Sequence, residues 1–127
     1  MLSSLLAVAM AADLATAQPP IDMLFFDWGR TELRPETLPL LDAVAARWTS
    51  EGGRLAIDGY SDRSGSAATN RRITVRRLSG ITAALVARGV PRTSIIPRPH
   101  GEQDAPVPTE DGVREVQNRR VELRLTP

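Results

Sequence analysis

The chain has 127 residues, a length that suits one compact domain with a single modest core. Its 16 basic residues, all arginine, nearly cancel 15 acidic ones for a net charge of +1, so bulk charge gives no warrant for a nucleic-acid or membrane-surface partner. Cysteine is absent, which excludes disulfides, cysteine–zinc sites, thiol nucleophiles and a lipid-bearing cysteine.

Residues Leu2 to Ala17 are small and apolar and end in Ala15-Thr16-Ala17, the small-residue pattern a signal peptidase accepts. Residues 1–20 are therefore expected to be a signal peptide or a flexible N-terminal segment, and residues 21–127 the folded domain. The run lacks a leading positive charge, carries Asp13 and is short for a bilayer span, so a short N-terminal helix or tail is the competing reading.

Met23 to Asp27 is rich in large apolar and aromatic residues and reads as a first strand. Pro35 is suited to a helix's first turn. Leu38, Leu41, Ala45 and Trp48 follow at helical spacing as a core-facing stripe, and Gly52-Gly53 ends the helix. Arg54 to Asp58 alternates with Leu55 and Ile57 on one face, a second strand. A polar turn from Gly59 to Thr69 leads into a helix over Asn70 to Arg88, stopped by Gly89 and Pro91. Ser94-Ile95-Ile96 predicts a short third strand, with Pro97 and Pro99 marking an edge or an exit. After a loop from Gly101 to Glu115, Val121, Leu123 and Leu125 alternate with Arg120, Glu122 and Arg124, the signature of a half-buried strand. Strands alternating with helices predict an α/β (α+β) two-layer sandwich: a βαβαβ-type core, a mixed sheet of about four strands, and helices on one face.

The most informative segment is Ile57-Asp58-Gly59-Tyr60-Ser61-Asp62-Arg63-Ser64-Gly65, with the helix behind it. Read in steps of four, that helix shows Ile73, Arg77, Ile81 and Leu85, so an arginine occupies a stripe that should be apolar. A charge there needs a partner or a ligand. Asp62 lies just before the same helix, so carboxylate and guanidinium can converge. They either pair with each other or together face a ligand. Arg119 shares the inward face of Val121 and is expected near Asp58 or Asp62. Arg71, Arg72 and Arg76 lie off the buried stripe, in a segment from Arg63 to Gly101 without any acidic residue. They form a solvated face or an anion-binding surface for nucleic acid or anionic lipid. His100 is the only histidine, a poor metal site and a general base without a visible nucleophile, so catalysis is not expected.

These residues resemble the OmpA-like peptidoglycan-binding domain family. There, a G-H-T-D-x-x-G turn precedes N-x-x-L-S-x-x-R, similar to Gly59 through Gly65 and then Asn70 through Arg77. His100-Gly101-Glu102 with Pro106-Val107, and Asn118-Arg119-Arg120-Val121-Glu122, resemble two further motifs in the same order, across roughly Ile21 to Leu125. The resemblance implies a non-catalytic, cofactor-free domain of the periplasm or cell envelope, associated with the outer membrane. It would grip the peptidoglycan stem peptide through meso-diaminopimelate. Carried over by motif, Asp62 and Arg77 contact the ligand and Asn70 and Ser61 support them; Arg119, placed by the phase of the last strand, is either a structural bridge or a further member of the ligand site. Tyr60 stands where the family has histidine and Ser61 where it has threonine. The stretch Gly112 to Gln117 varies the family pattern and leaves the partner of Arg114 open.

Overall fold

The computed structural model describes residues 21–127, so the expected signal peptide lies outside the described residues. The elements are β1 (Ile21–Phe25), α1 (Leu38–Glu51), β2 (Arg54–Tyr60), α2 (Ala67–Ala87), β3 (Ile95–Gly101) and β4 (Arg120–Thr126). They form a four-stranded mixed sheet in the order β1-β4-β2-β3. The last strand inserts between the first two and pairs antiparallel with both, while β2 and β3 run parallel. A parallel pair needs a crossover, and α2 supplies it. Both helices contribute to one core with the inward face of the sheet, which is the two-layer arrangement the alternating pattern predicts.

Leu55 and Ile57 on β2 oppose Leu125 and Leu123 on β4. Leu24, Val121 and Leu123 complete the buried sheet face, and Leu41, Val44 and Ala45 of α1 with Leu78, Ile81 and Leu85 of α2 cover it. The α1 stripe departs from expectation at its start. Pro35 opens a separate 3-10 turn, Pro35–Thr37, and the α-helix begins only at Leu38. Leu38 is therefore the first helical residue, at the end of the packed face, and is 39% exposed. Trp48 packs against the core as expected.

Two local features set where α2 lies. Ser66 caps it, its hydroxyl accepting from Thr69 N at 3.1 Å, so the helix starts three residues before the expected Asn70. Gly59 lets it approach β2: a Cβ there would sit 2.7 Å from Thr74 Cγ2 and 3.0 Å from Leu78 Cδ2.

The third strand is longer than expected and continues through both prolines to Gly101. It lies at the sheet edge, and in a parallel ladder alternate residues bond to the single neighbour. Pro97 and Pro99 occupy the other phase, where a missing N–H breaks no ladder bond. A bulge then places Pro99 opposite Gly59 and Gly101 opposite Tyr60, leaving His100 as the extra residue.

Candidate functional site

A hollow of about 250 Å³ opens where the C-terminal end of β2, the start of α2 and the start of β4 meet. All five sequence-predicted site residues, Ser61, Asp62, Asn70, Arg77 and Arg119, line it. Trp28, Gly29, Ser64, Thr69 and Ile73 complete much of the wall.

Asp62 leaves β2 in a tight turn closed by Gly65, whose φ is +81°. Its carboxylate is almost fully buried and fully engaged. Oδ1 accepts from Ser64 N at 3.2 Å and Ser64 Oγ at 2.6 Å. Oδ2 accepts from Glu115 N at 3.3 Å and Arg119 Nη1 at 3.1 Å. Arg119 also donates through Nε to Phe26 O at 3.1 Å, which fastens the start of β4 to the chain beyond β1. Of the two acidic neighbours expected for Arg119, the structure selects Asp62. Asp58 instead faces the outer side of the sheet.

Arg77 is not the ion-pair partner of Asp62. It is 1% exposed on the buried face of α2, with its guanidinium stacked 4.8 Å from the centroid of the Phe26 ring. Backbone carbonyls hold it: Nε donates to Arg30 O at 2.9 Å and Nη2 to Asp27 O at 3.3 Å. Nη1 is buried without a hydrogen-bond partner, and so is Ser61 Oγ. Burial and the charge of Arg119, opposed by Asp62, push the Arg77 pKa down to about 10, so it remains cationic at neutral pH. The hollow thus holds two guanidinium groups against one carboxylate, a net positive site with two orphaned polar atoms. A carboxylate is the complementary guest, because the forked guanidinium matches its two oxygens.

Asn70 points its amide at Glu102, Nδ2 to Oε2 at 3.1 Å, and joins α2 to the loop after β3. Two residues that motif reasoning left without a structural role hold the other loop. The Asn118 side chain donates to Val107 O at 2.7 Å and accepts from Val107 N at 2.8 Å. Arg63 donates to Thr109 O at 3.2 Å and pairs with Asp111. Trp28 was also missed. It follows the β1 region without a motif of its own, and only the folded chain brings it to the hollow's mouth. There its Nε1 donates to Ser64 Oγ at 2.9 Å. The partner of Arg114 is this same Trp28, with the guanidinium carbon 3.6 Å from the ring centroid.

Other expected candidates lie elsewhere. Arg71, Arg72 and Arg76 are exposed on the outward side of α2. His100 bonds Asp58 through Nε2 at 2.7 Å and stacks on Tyr60 on the opposite face of the sheet. Among the described residues there is no group of three metal-ligating side chains and no helix long and apolar enough to cross a membrane.

A match to the OmpA family spans residues 25–119. An outer membrane protein of Gluconacetobacter diazotrophicus is 34% identical over 110 residues, 81% of this chain and 29% of that protein. The peptidoglycan-associated lipoprotein of Pseudomonas putida is 30% identical over 104 residues, 82% of this chain and 63% of the lipoprotein. The chain thus spans less than two thirds of either relative. Among solved structures, the peptidoglycan-associated lipoprotein from Burkholderia pseudomallei shares the fold with a TM-score of 0.72 at 21% identity, covering 82% of this chain and 89% of that one. The C-terminal domain of Helicobacter pylori MotB does so with a TM-score of 0.73 at 14% identity, covering 85% and 86%.

Proposed function

This chain belongs to the OmpA family, and from that premise we propose that it binds peptidoglycan without catalysis, through the meso-diaminopimelate of the stem peptide. Its relatives are named as outer membrane and peptidoglycan-associated proteins, and the domain belongs to the cell envelope, on the periplasmic side. The observation that carries the reading is the pair of orphaned buried atoms, Arg77 Nη1 and Ser61 Oγ, on residues that line one net-positive hollow. Diaminopimelate in a stem peptide keeps a carboxylate and, when uncrosslinked, an ammonium on one carbon. The carboxylate engages Arg77 and Ser61. The ammonium takes the place of the Ser64 hydroxyl proton on Asp62, while Ser64 Oγ goes on accepting from Trp28 Nε1. Arg119 holds the Asp62 carboxylate in place through Nη1, and Asn70 fixes the first turn of α2 against the loop after β3.

Co-sedimentation with purified diaminopimelate-containing sacculi tests this. Asp62→Asn and Arg77→Met are each expected to weaken retention at least about tenfold, the loss typical of a charge-assisted hydrogen bond. If both variants fold and sediment like the parent, the hollow is not the binding site. The competing anion-binding reading rests on the exposed Arg71, Arg72 and Arg76 face. It predicts binding that falls steeply with salt and survives both substitutions.

A further inference from the structure

We propose that Arg114, held over Trp28, forms a second carboxylate subsite at the mouth of the hollow. It reads the free backbone carboxylate of the glutamate that precedes diaminopimelate in the stem. This rests on the reading above and adds a recognition element to it. In the stem that glutamate is joined through its side-chain carboxyl, so its own backbone carboxylate is left free, one residue from the diaminopimelate; where the wall amidates it, the charge is gone.

The indole is 51% exposed yet held in place. Its Nε1 donates to Ser64 Oγ, on the turn that presents Asp62, so the ring is fastened to the wall of the pocket. The Arg114 guanidinium lies over that ring at 3.6 Å, and among the described residues it has neither an ion-pair partner nor a hydrogen bond. Stacking engages only the face of the guanidinium. A guanidinium stacked in this way keeps its N–H edges free in its own plane, which is the geometry for two parallel bonds to a carboxylate. A cation already oriented by an aromatic platform loses less freedom on binding than a loose surface arginine. Trp28 lines the hollow itself, so the guanidinium stacked on its ring lies next to the site.

Calorimetric titration with two soluble stem tripeptides decides the matter. Both end in diaminopimelate; one carries the free glutamate carboxylate and the other its amide. The parent is expected to bind the free acid about tenfold tighter, the usual effect of one charge-assisted pair. Arg114→Gln, at an exposed position that leaves the fold intact, should abolish that preference while keeping the affinity for the amide. Trp28→Phe should retain most of the preference, and Trp28→Ala should reduce it. The proposal is overturned if the parent does not distinguish the two peptides, or if Arg114→Gln distinguishes them as the parent does. A loss in Trp28→Ala that falls equally on both peptides, with Arg114→Gln unchanged, would also overturn it and make the indole a contact surface only. Failure of the diaminopimelate reading is separate: it appears as undiminished binding of both peptides by Arg77→Met.

Discussion

Arg77 and Arg119 are both inward-facing arginines, yet they weigh differently on stability. Arg119 neutralises a carboxylate that is otherwise buried. Arg119→Ala leaves Asp62 without its cation and is expected to cost about 3–5 kcal/mol, measured by denaturant unfolding. Arg77 is a buried cation whose direct bonds are to carbonyls and whose Nη1 has no partner. Arg77→Met keeps the volume and removes the desolvated charge, which offsets the loss of its bonds to the Asp27 and Arg30 carbonyls, so its melting temperature is expected close to the parent's while wall binding falls at least about tenfold. A buried charge that adds little to stability and sustains binding is the signature of a site. The sequence reveals Arg77 because it interrupts an apolar stripe, and Arg119 because it keeps the phase of β4. Which of them takes Asp62 was not legible. Two cations compete for one carboxylate, and the choice depends on how the start of β4 docks beside Phe26, a contact between residues 93 positions apart.

At the scale of elements, the site's geometry depends on α2 lying close to β2. Gly59→Ala forces Thr74 and Leu78 aside and is expected to destabilise by about 1–3 kcal/mol. It should also weaken sacculus binding, because the same helix carries Asn70 and Arg77. Ser66→Ala removes the cap and is expected to cost about 1 kcal/mol in thermal unfolding. The strands β2 and β4 were plain in the sequence, since alternation of apolar residues reports directly on burial. β3 was foreshortened there because proline signals a break, and only knowledge of its edge position shows that the prolines fall in the phase that breaks no bond. The early start of α2 was likewise hidden. Ser66-Ala67-Ala68-Thr69 reads as part of a polar turn until its hydroxyl is seen on Thr69 N.

The whole molecule has one face of the sheet for the core and another for charge. On the outer face, burial alone would raise the Asp58 carboxyl, but bonds from Arg98 and His100 outweigh it and hold the group below its ordinary value. A carboxyl depressed in the folded state binds its proton more readily in the unfolded chain. Its contribution is therefore complete above the ordinary carboxylate pKa, about 3.9, and is lost as pH falls through the depressed value. Melting temperatures across that acid range are expected to fall less steeply for Asp58→Asn than for the parent. The two-layer architecture and strand count followed from alternating periodicities. The loops over the site did not, because their positions are set by side-chain clamps such as Asn118 on Val107, which leave no periodic trace.

The prolines of β3 also bear on how these molecules behave when crowded together. An uncovered flank of a sheet ordinarily invites another copy to add its own backbone, and repeated additions become a fibre. Here Pro97 and Pro99 offer no hydrogen to a newcomer, and the carbonyl of Pro99 is already taken by Arg71 Nη1 at 3.2 Å. That flank is chemically capped, so proteins bearing this domain can stand side by side at high density without knitting together along it.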